Sequence, residues 1–166
     1  MSQTEDRSFL DDIDMHLLEL LQQDASLSNL ALAECVHVSP PTCLRRVKRL
    51  WQAGLIERQV AILAPQRLAP LLGHGLEAIL EVTLERQGAE ALDAFEQRVV
   101  ADVQVQQCYR VSPGPDFILH VRAADMPEYL ALQQRLLTAD ANVRNVKAFF
   151  AIKRAKFEPR IALRRT

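Results

Sequence analysis

Hydroxyl and cationic side chains recur at helical spacing in the stretch from residue 36 to residue 50. A helix is predicted to begin at Ser39-Pro40, since serine is a frequent N-cap and proline suits the first helical position. At about 100° per residue, the polar side chains gather on one side of this helix. They are Thr42, Arg45, Lys48 and Arg49, with Arg46 on the flank. Hydroxyl, ammonium and guanidinium groups on one helix face are typical of contacts to phosphates and base edges.

Taken alone, this helix has two interpretations. It is either a recognition helix for nucleic acid or an ordinary amphipathic helix whose basic face is solvated, and basic faces are common. Its other side carries Cys43, Val47 and Leu50, with Leu44 at the margin. That apolar stripe predicts packing against neighbouring helices in either case.

Charge is unevenly distributed along the 166 residues, although the formal net charge is only −1. Residues 1–64 carry 6 basic and 9 acidic side chains, residues 65–141 carry 6 and 11, and residues 142–166 carry 8 and 1. The basic tail fits either a nucleic-acid patch or a solubilising end. Its cations include Lys153, Arg154, Lys156, Arg160, Arg164 and Arg165.

Several classes of function lack sequence support. Apolar runs are shorter than the roughly 18 residues that span a bilayer, and the polar N-terminus is unlike a signal peptide. We therefore expect a cytoplasmic protein without membrane contact. Three single cysteines, at positions 35, 43 and 108, predict small buried side chains in a reducing compartment. The four scattered histidines predict no metal site, and no catalytic arrangement or cofactor motif is evident, so we expect no enzyme activity.

The N-terminal part is predicted to be helical. Helices are expected over residues 11–23, from Ser28 or Asn29 through Cys35, and over the basic stretch up to Ala53-Gly54. Ala33 and His37 have the spacing of the small residue and the turn residue in a helix-turn-helix motif. Residues 55–63 are predicted to be extended, as a wing or linking strand.

The C-terminal part alternates strand and helix patterns after a segment rich in proline and glycine. Strands are predicted over residues 76–85, 103–111, 117–121 and 142–156, and helices over 89–100 and 125–137. Alternation places Val105 and Cys108 on opposite faces of the second strand. In the fourth, Val146, Ala148, Phe150 and Ile152 share one face. This β-α-β-β-α-β order is that of a ferredoxin-like domain, a fold that hosts many functions.

The predicted fold class is therefore α+β. A winged helix-turn-helix domain is expected over residues 1–63, a hinge over 64–75 and the βαββαβ domain over 76–166.

Several motifs in this order resemble the Lrp/AsnC (feast/famine) family of transcription regulators, from about Leu10 to about Leu163. The matching segments are Leu10-Asp11-Asp12-Ile13-Asp14, residues 38–50 followed by Gly54-Leu55-Ile56, the turn Val111–Phe117, Asp125-Met126-x-x-Tyr129, and Phe150–Lys153 with Lys156. The resemblance implies a helix-turn-helix protein that reads double-stranded DNA. It also implies dimers formed through the C-terminal sheets, further assembly to tetramers or octamers, and a small effector, commonly an amino acid.

Site residues are carried over from the family by position. The DNA-contacting candidates are Ser39, Pro41, Thr42, Arg45, Arg46, Lys48 and Arg49. The effector candidates are Tyr109, Ser112, Gly114, Asp116, Met126, Phe149, Phe150 and Ala151. In the family the effector lies between C-terminal domains of neighbouring dimers. Asp116 suits an ammonium group or a cap for its own turn, and the two phenylalanines suit either the ligand or the core and dimer interface.

The chain departs from the family pattern in ways that affect these expectations. His37 replaces the usual turn glycine, so we expect either a left-handed, slightly strained histidine or a turn of different shape. Val146 and Ala148 stand where many relatives carry serine or threonine, which favours an apolar effector such as leucine or methionine. Two alternatives remain open at this stage: a subunit resembling siroheme decarboxylase, and a DNA-compacting architectural protein without an effector.

Overall fold

The computed structural model describes residues 10–72 and 75–163. Gly73 and His74 of the predicted hinge, Arg164 and Arg165 of the basic tail, and the polar segment before Leu10 lie outside the described residues. Contacts divide the chain into two units: residues up to Ile62 with those from Phe157 onward, and Leu63–Lys156. Within the described part, no helix has the length and apolar character needed to cross a membrane.

Three helices build the N-terminal unit, as predicted. They are α1 (Asp12–Gln23), α2 (Asn29–Cys35) and α3 (Pro40–Gln52). Asp11 caps α1 and Ser28 caps α2, each accepting a hydrogen bond from a backbone N–H three residues on. The apolar faces meet in a small core, which contains Leu17, Leu32, Ala33, Val36, Cys43 and Leu50.

The turn between α2 and α3 takes the first of the two conformations expected at its unusual histidine. His37 has a φ of 55°, a left-handed backbone that histidine adopts less readily than glycine. The turn is fixed by a hydrogen bond from the Val38 N–H to the Ala33 carbonyl (3.0 Å). The Asn29 side chain also donates to the carbonyl of Pro40 (2.9 Å), which ties the start of α2 to the start of α3.

Two local predictions for this unit are wrong, and a third is confirmed only in part. Ser39 is the N-cap residue of α3 as predicted, but its side chain makes no capping hydrogen bond: Pro41 has no N–H, and the Ser39 hydroxyl pairs with the Thr42 hydroxyl (2.9 Å). Residues 56–64, all of them described, form no regular structure, since an extended segment needs a partner strand. The predicted wing is therefore not a strand. Cys35 is exposed because it lies on the outer side of α2, whereas Cys43 is buried as expected.

The second unit contains the predicted βαββαβ domain. A short helix, α4 (Pro65–Leu72), precedes it in the segment predicted as a hinge. The remaining elements are β1 (Leu76–Leu84), α5 (Ala89–Val100), β2 (Val105–Arg110), β3 (Phe117–Ala123), α6 (Met126–Gln133) with a π-helical turn (Gln134–Thr138), and β4 (Val143–Phe150). The strands form one antiparallel sheet in the order β2-β3-β1-β4.

Strand alternation gives the sheet two different faces. The first face packs with Phe95 and Val99 of α5 and Leu132 of α6. Its buried strand residues are Ala78, Leu80, Val82, Leu84, Phe117, Leu119, Val121 and Ala123. The second face presents the residues between them, such as Ile79 and the paired Phe149.

The two outer strands differ from their predictions. The pairing of β2 with β3 shifts between Val105 and Gln107, and this bulge turns both Val105 and Cys108 toward the core. β4 ends at Phe150 and not at Lys156, because its partner β1 begins at Leu76 and the last hydrogen bond joins Ala151 to Glu77. Ile152 is consequently fully exposed, and its predicted place on a sheet face is wrong.

Candidate functional site

The outward side of α3 carries two exposed cations. Arg45 and Lys48 are exposed, and neither forms an ion pair with any residue that the structure describes. Near the start of the helix, the hydroxyls of Ser39 and Thr42 lie 2.9 Å apart, next to the exposed Pro41. This side therefore offers hydroxyl and cationic groups to an external polyanion.

Two further arginines of α3 are held by acidic residues of the first helix and its cap. Arg46 Nη1 lies 2.7 Å from Asp11 Oδ2 and 2.9 Å from Asp14 Oδ1, and Arg49 donates to the other oxygen of Asp14. Asp14 is fully buried, whereas the Arg46 and Arg49 side chains are 20% and 44% exposed. Asp14 thus links α1 to the middle of α3.

Asp11, the N-cap residue of α1, strengthens this link between α1 and α3. Its side chain accepts the Asp14 N–H (2.9 Å), and the Asp14 carboxylate accepts the Asp11 N–H (3.2 Å), which forms a capping box. The Asp14 backbone N–H, together with the Arg46 guanidinium, lowers the pKa of Asp11 to about 2. A cavity of about 120 Å³ lies here, lined by Asp11, Arg45, Arg46 and Arg49.

The effector candidates fall into two groups within one chain. The first group is the turn before β3, with Ser112, Gly114 and Asp116. Asp116 Oδ2 accepts the Leu84 N–H at 2.7 Å and the Gln87 amide at 3.2 Å. This carboxylate therefore bonds β1, rather than capping its own turn as one alternative predicted. Gly114 has a φ of 122°, which only glycine adopts readily.

The second group lies at the opposite end of β3. Met126 begins the helix after this strand, and Phe150 pairs with Ala78 near the same end of the sheet. Phe149 and Ala151 are its neighbours. Because β3 has seven residues, the two groups are about 20 Å apart in one chain. Tyr109 belongs to neither group: it is paired with Ile118 on the second face, where Phe149 also points.

Comparison with known proteins agrees with this architecture. The AsnC-type helix-turn-helix family model matches residues 10–50, and that of the Lrp/AsnC ligand binding domain matches residues 77–161. A leucine-responsive regulatory protein of Haemophilus influenzae is 36% identical over 89% of this chain and 86% of that protein. The chain belongs to the Lrp/AsnC family.

Solved structures of the Lrp/AsnC family have the same fold. An AsnC family regulator from Agrobacterium tumefaciens has a TM-score of 0.82 and 28% identity, over 93% of this chain and 97% of that one. A transcriptional regulator from Neisseria meningitidis, in complex with L-Met, has a TM-score of 0.81 and 29% identity over the same shares.

Membership of the Lrp/AsnC family decides the coarse function. The chain is a DNA-binding transcriptional regulator with a ligand-binding domain. Its relatives are named as regulators, which confirms the prediction of a regulator rather than an enzyme of the siroheme decarboxylase kind. Within the described residues, no three metal-binding side chains come together.

Two residues of this Lrp/AsnC chain have surroundings that sequence patterns do not predict. Asp14, part of the Leu10–Asp14 family motif, holds two arginines of the recognition helix. Tyr129, part of the motif that begins at Asp125, has a buried hydroxyl with no hydrogen-bond partner among the described residues. Repeated acidic residues three positions apart were the available signal for Asp14, since they place both carboxylates near one helix end.

Proposed function

We propose that this regulator binds an apolar amino acid, with leucine and methionine as first candidates, between two copies of its C-terminal domain. Occupancy then changes either DNA affinity or the state of assembly. Similarity to a leucine-responsive regulatory protein and to a regulator in complex with L-Met supports the choice of ligand.

The separation of the two effector groups is the observation that carries the proposal. The turn with Asp116 and the strand end with Phe150 lie at opposite ends of β3. A free amino acid is much shorter than this strand, so it reaches both groups only if different chains supply them. This reasoning makes oligomerisation a requirement of the site.

The chemistry of each group suits one part of an amino acid. Asp116 uses only Oδ2 for its hydrogen bonds within the described residues, so Oδ1 remains available to an ammonium group. Met126 and Phe150 are half-exposed and suit an apolar side chain. Val146 packs against the core, so the argument for an apolar pocket from the fourth strand rests on Ala148 alone.

Calorimetric titration of the full-length protein with each of the twenty amino acids tests this proposal. We expect binding heat with leucine or methionine. In the Asp116→Asn variant, affinity for that amino acid should fall about tenfold or more, because the substitution removes the negative charge that faces the ligand's ammonium group. Asparagine keeps an oxygen for the Leu84 N–H, so the fold is preserved. The absence of binding heat with all twenty amino acids, or equal affinity of wild type and Asp116→Asn for the amino acid that binds, would contradict the proposal.

A further inference from the structure

A buried hydroxyl of the C-terminal domain has no partner among the residues that the structure describes. Tyr129 of α6 is only 3% exposed, and its phenolic oxygen makes no hydrogen bond to any of them. Leaving such a group unpaired destabilises the fold, and burial raises the pKa of this phenol, so it stays a protonated donor. The chain carries this cost at a site where phenylalanine would fill nearly the same space.

The surroundings of Tyr129 are apolar and partly accessible. Its ring meets the ring of Phe150 edge-on, with centroids 5.0 Å apart, and Phe150 is the last residue of β4. Met126 and Leu130 are four residues apart on α6, and both are exposed. We name the exposed residues Met126 and Leu130 of α6 and Ala148 and Phe150 of β4 the α6–β4 patch, since the Tyr129–Phe150 ring contact joins the two elements.

From this placement we infer that Tyr129 is a ligand-binding residue, whose hydroxyl donates a hydrogen bond to the α-carboxylate of the bound amino acid. The α6–β4 patch then receives the apolar side chain of that ligand. Because this hydroxyl is buried, the contact requires the half-exposed Phe150 side chain, whose ring meets that of Tyr129, to rotate away when the ligand binds. This inference rests on the proposed function and adds to it the residue that recognises the acid group.

The carboxylate is the better match of the two charged groups of an amino acid. A protonated phenol that lacks an acceptor is best paired with an anion, and hydrogen bonds to charged groups are the stronger ones. The ammonium group already has Asp116 as its counterpart in the proposed site. Asp116 would then bind the ammonium group of the amino acid, and Tyr129 would bind its carboxylate.

Tyr129→Phe tests the inference, because it removes one oxygen and keeps the ring. Calorimetry would use L-methionine and L-leucine with the full-length wild type and the variant, and thermal unfolding would be recorded without ligand. We expect affinity to fall about tenfold to a hundredfold, while thermal stability is equal or higher since an unpaired polar atom is gone. A merely structural hydroxyl would instead lower stability.

A matched ligand pair supplies the control. 3-(Methylthio)propylamine is methionine without its carboxylate and offers Tyr129 no oxygen acceptor, so wild type and Tyr129→Phe should bind it with equal affinity. L-Methionine should bind wild type more tightly than the variant. Equal affinity of both proteins for L-methionine and L-leucine, or lower stability of the variant, would overturn this inference alone. Failure of wild type to bind any amino acid would contradict the proposed function and the inference together.

Discussion

Neighbouring arginines on α3 have different tasks although their side chains are identical. Arg45 points outward without an ion pair among the described residues, whereas Arg46 is held by Asp11 and Asp14. The helical wheel predicted that Arg46 lies on the flank, but it could not identify the partner. The buried partner, Asp14, belongs to α1 and lies 32 residues earlier in the chain, and the periodicity of α3 carries no information about it.

The outward cations should dominate the electrostatic part of DNA binding. Arg45→Ala and Lys48→Ala should each weaken binding and make the dependence of log K on log salt shallower by about 0.9, because each loses one phosphate contact. Gel-shift titrations across a salt series measure this slope. Arg86→Ala, an exposed arginine of the C-terminal domain, is the control and should leave the slope unchanged. Equal slopes in all four proteins would refute the assignment of this helix side.

Removing the buried acid should act on stability first. Asp14→Asn should lower the free energy of unfolding of the N-terminal unit by about 3 kcal/mol, since two guanidinium groups lose their shared anion. Urea unfolding followed by circular dichroism measures it. Glu19→Gln changes an exposed carboxylate on the same helix and should have almost no effect. A change below about 0.5 kcal/mol in Asp14→Asn would mean that the link is weak.

At the scale of elements, sequence patterns predicted the order of the strands along the chain and every described helix except α4, which lies in the predicted hinge. Their ends were less predictable where a partner decides them. β4 stops where its hydrogen bonds to β1 end, at Ala151–Glu77 beside the first residue of β1, and the bulge in β2 turns both Val105 and Cys108 toward the core. The predicted wing strand does not form for the same reason, since no described strand pairs with residues 56–64. Pairing is a property of two segments, and alternation within one does not specify it.

The cap of α1 makes the N-terminal unit sensitive to acid. Since the pKa of Asp11 is lowered to about 2 in the folded protein, its carboxylate stabilises the fold above about pH 4, and this contribution is lost as the pH falls toward 2. Asp11→Asn should still cap the helix, and its stability should fall less than that of wild type between pH 5 and pH 2. Thermal unfolding of both proteins over this range measures the difference; an equal fall in melting temperature would contradict the role of Asp11.

At the scale of the whole molecule, the family resemblance supplied the effector residues but could not place them in space. The structure puts Asp116 and Met126 at opposite ends of β3. In the proposed site a single chain holds two incomplete halves, and the sequence of one chain does not specify which parts of two copies meet. This is why the candidate site could be predicted residue by residue but not as a geometry.

Mixed oligomers should reveal a site shared between chains. Asp116→Asn damages one half and Met126→Gln the other, so each variant alone should bind the amino acid poorly. Co-assembled in equal amounts, they should recover about a quarter of the wild-type binding sites, because some sites combine two intact halves. Calorimetric stoichiometry measures the recovery. No recovery after verified subunit exchange would indicate a site within one chain.

The central claim is that an amino acid controls how this protein binds DNA. The most direct measurement is the Kd for a DNA site selected from random sequence, with and without saturating leucine or methionine at constant salt. We predict a pseudo-palindromic site and a change in Kd of at least about fivefold, with the response lost in Asp116→Asn. An identical Kd and an identical assembly state with and without either amino acid would contradict the account.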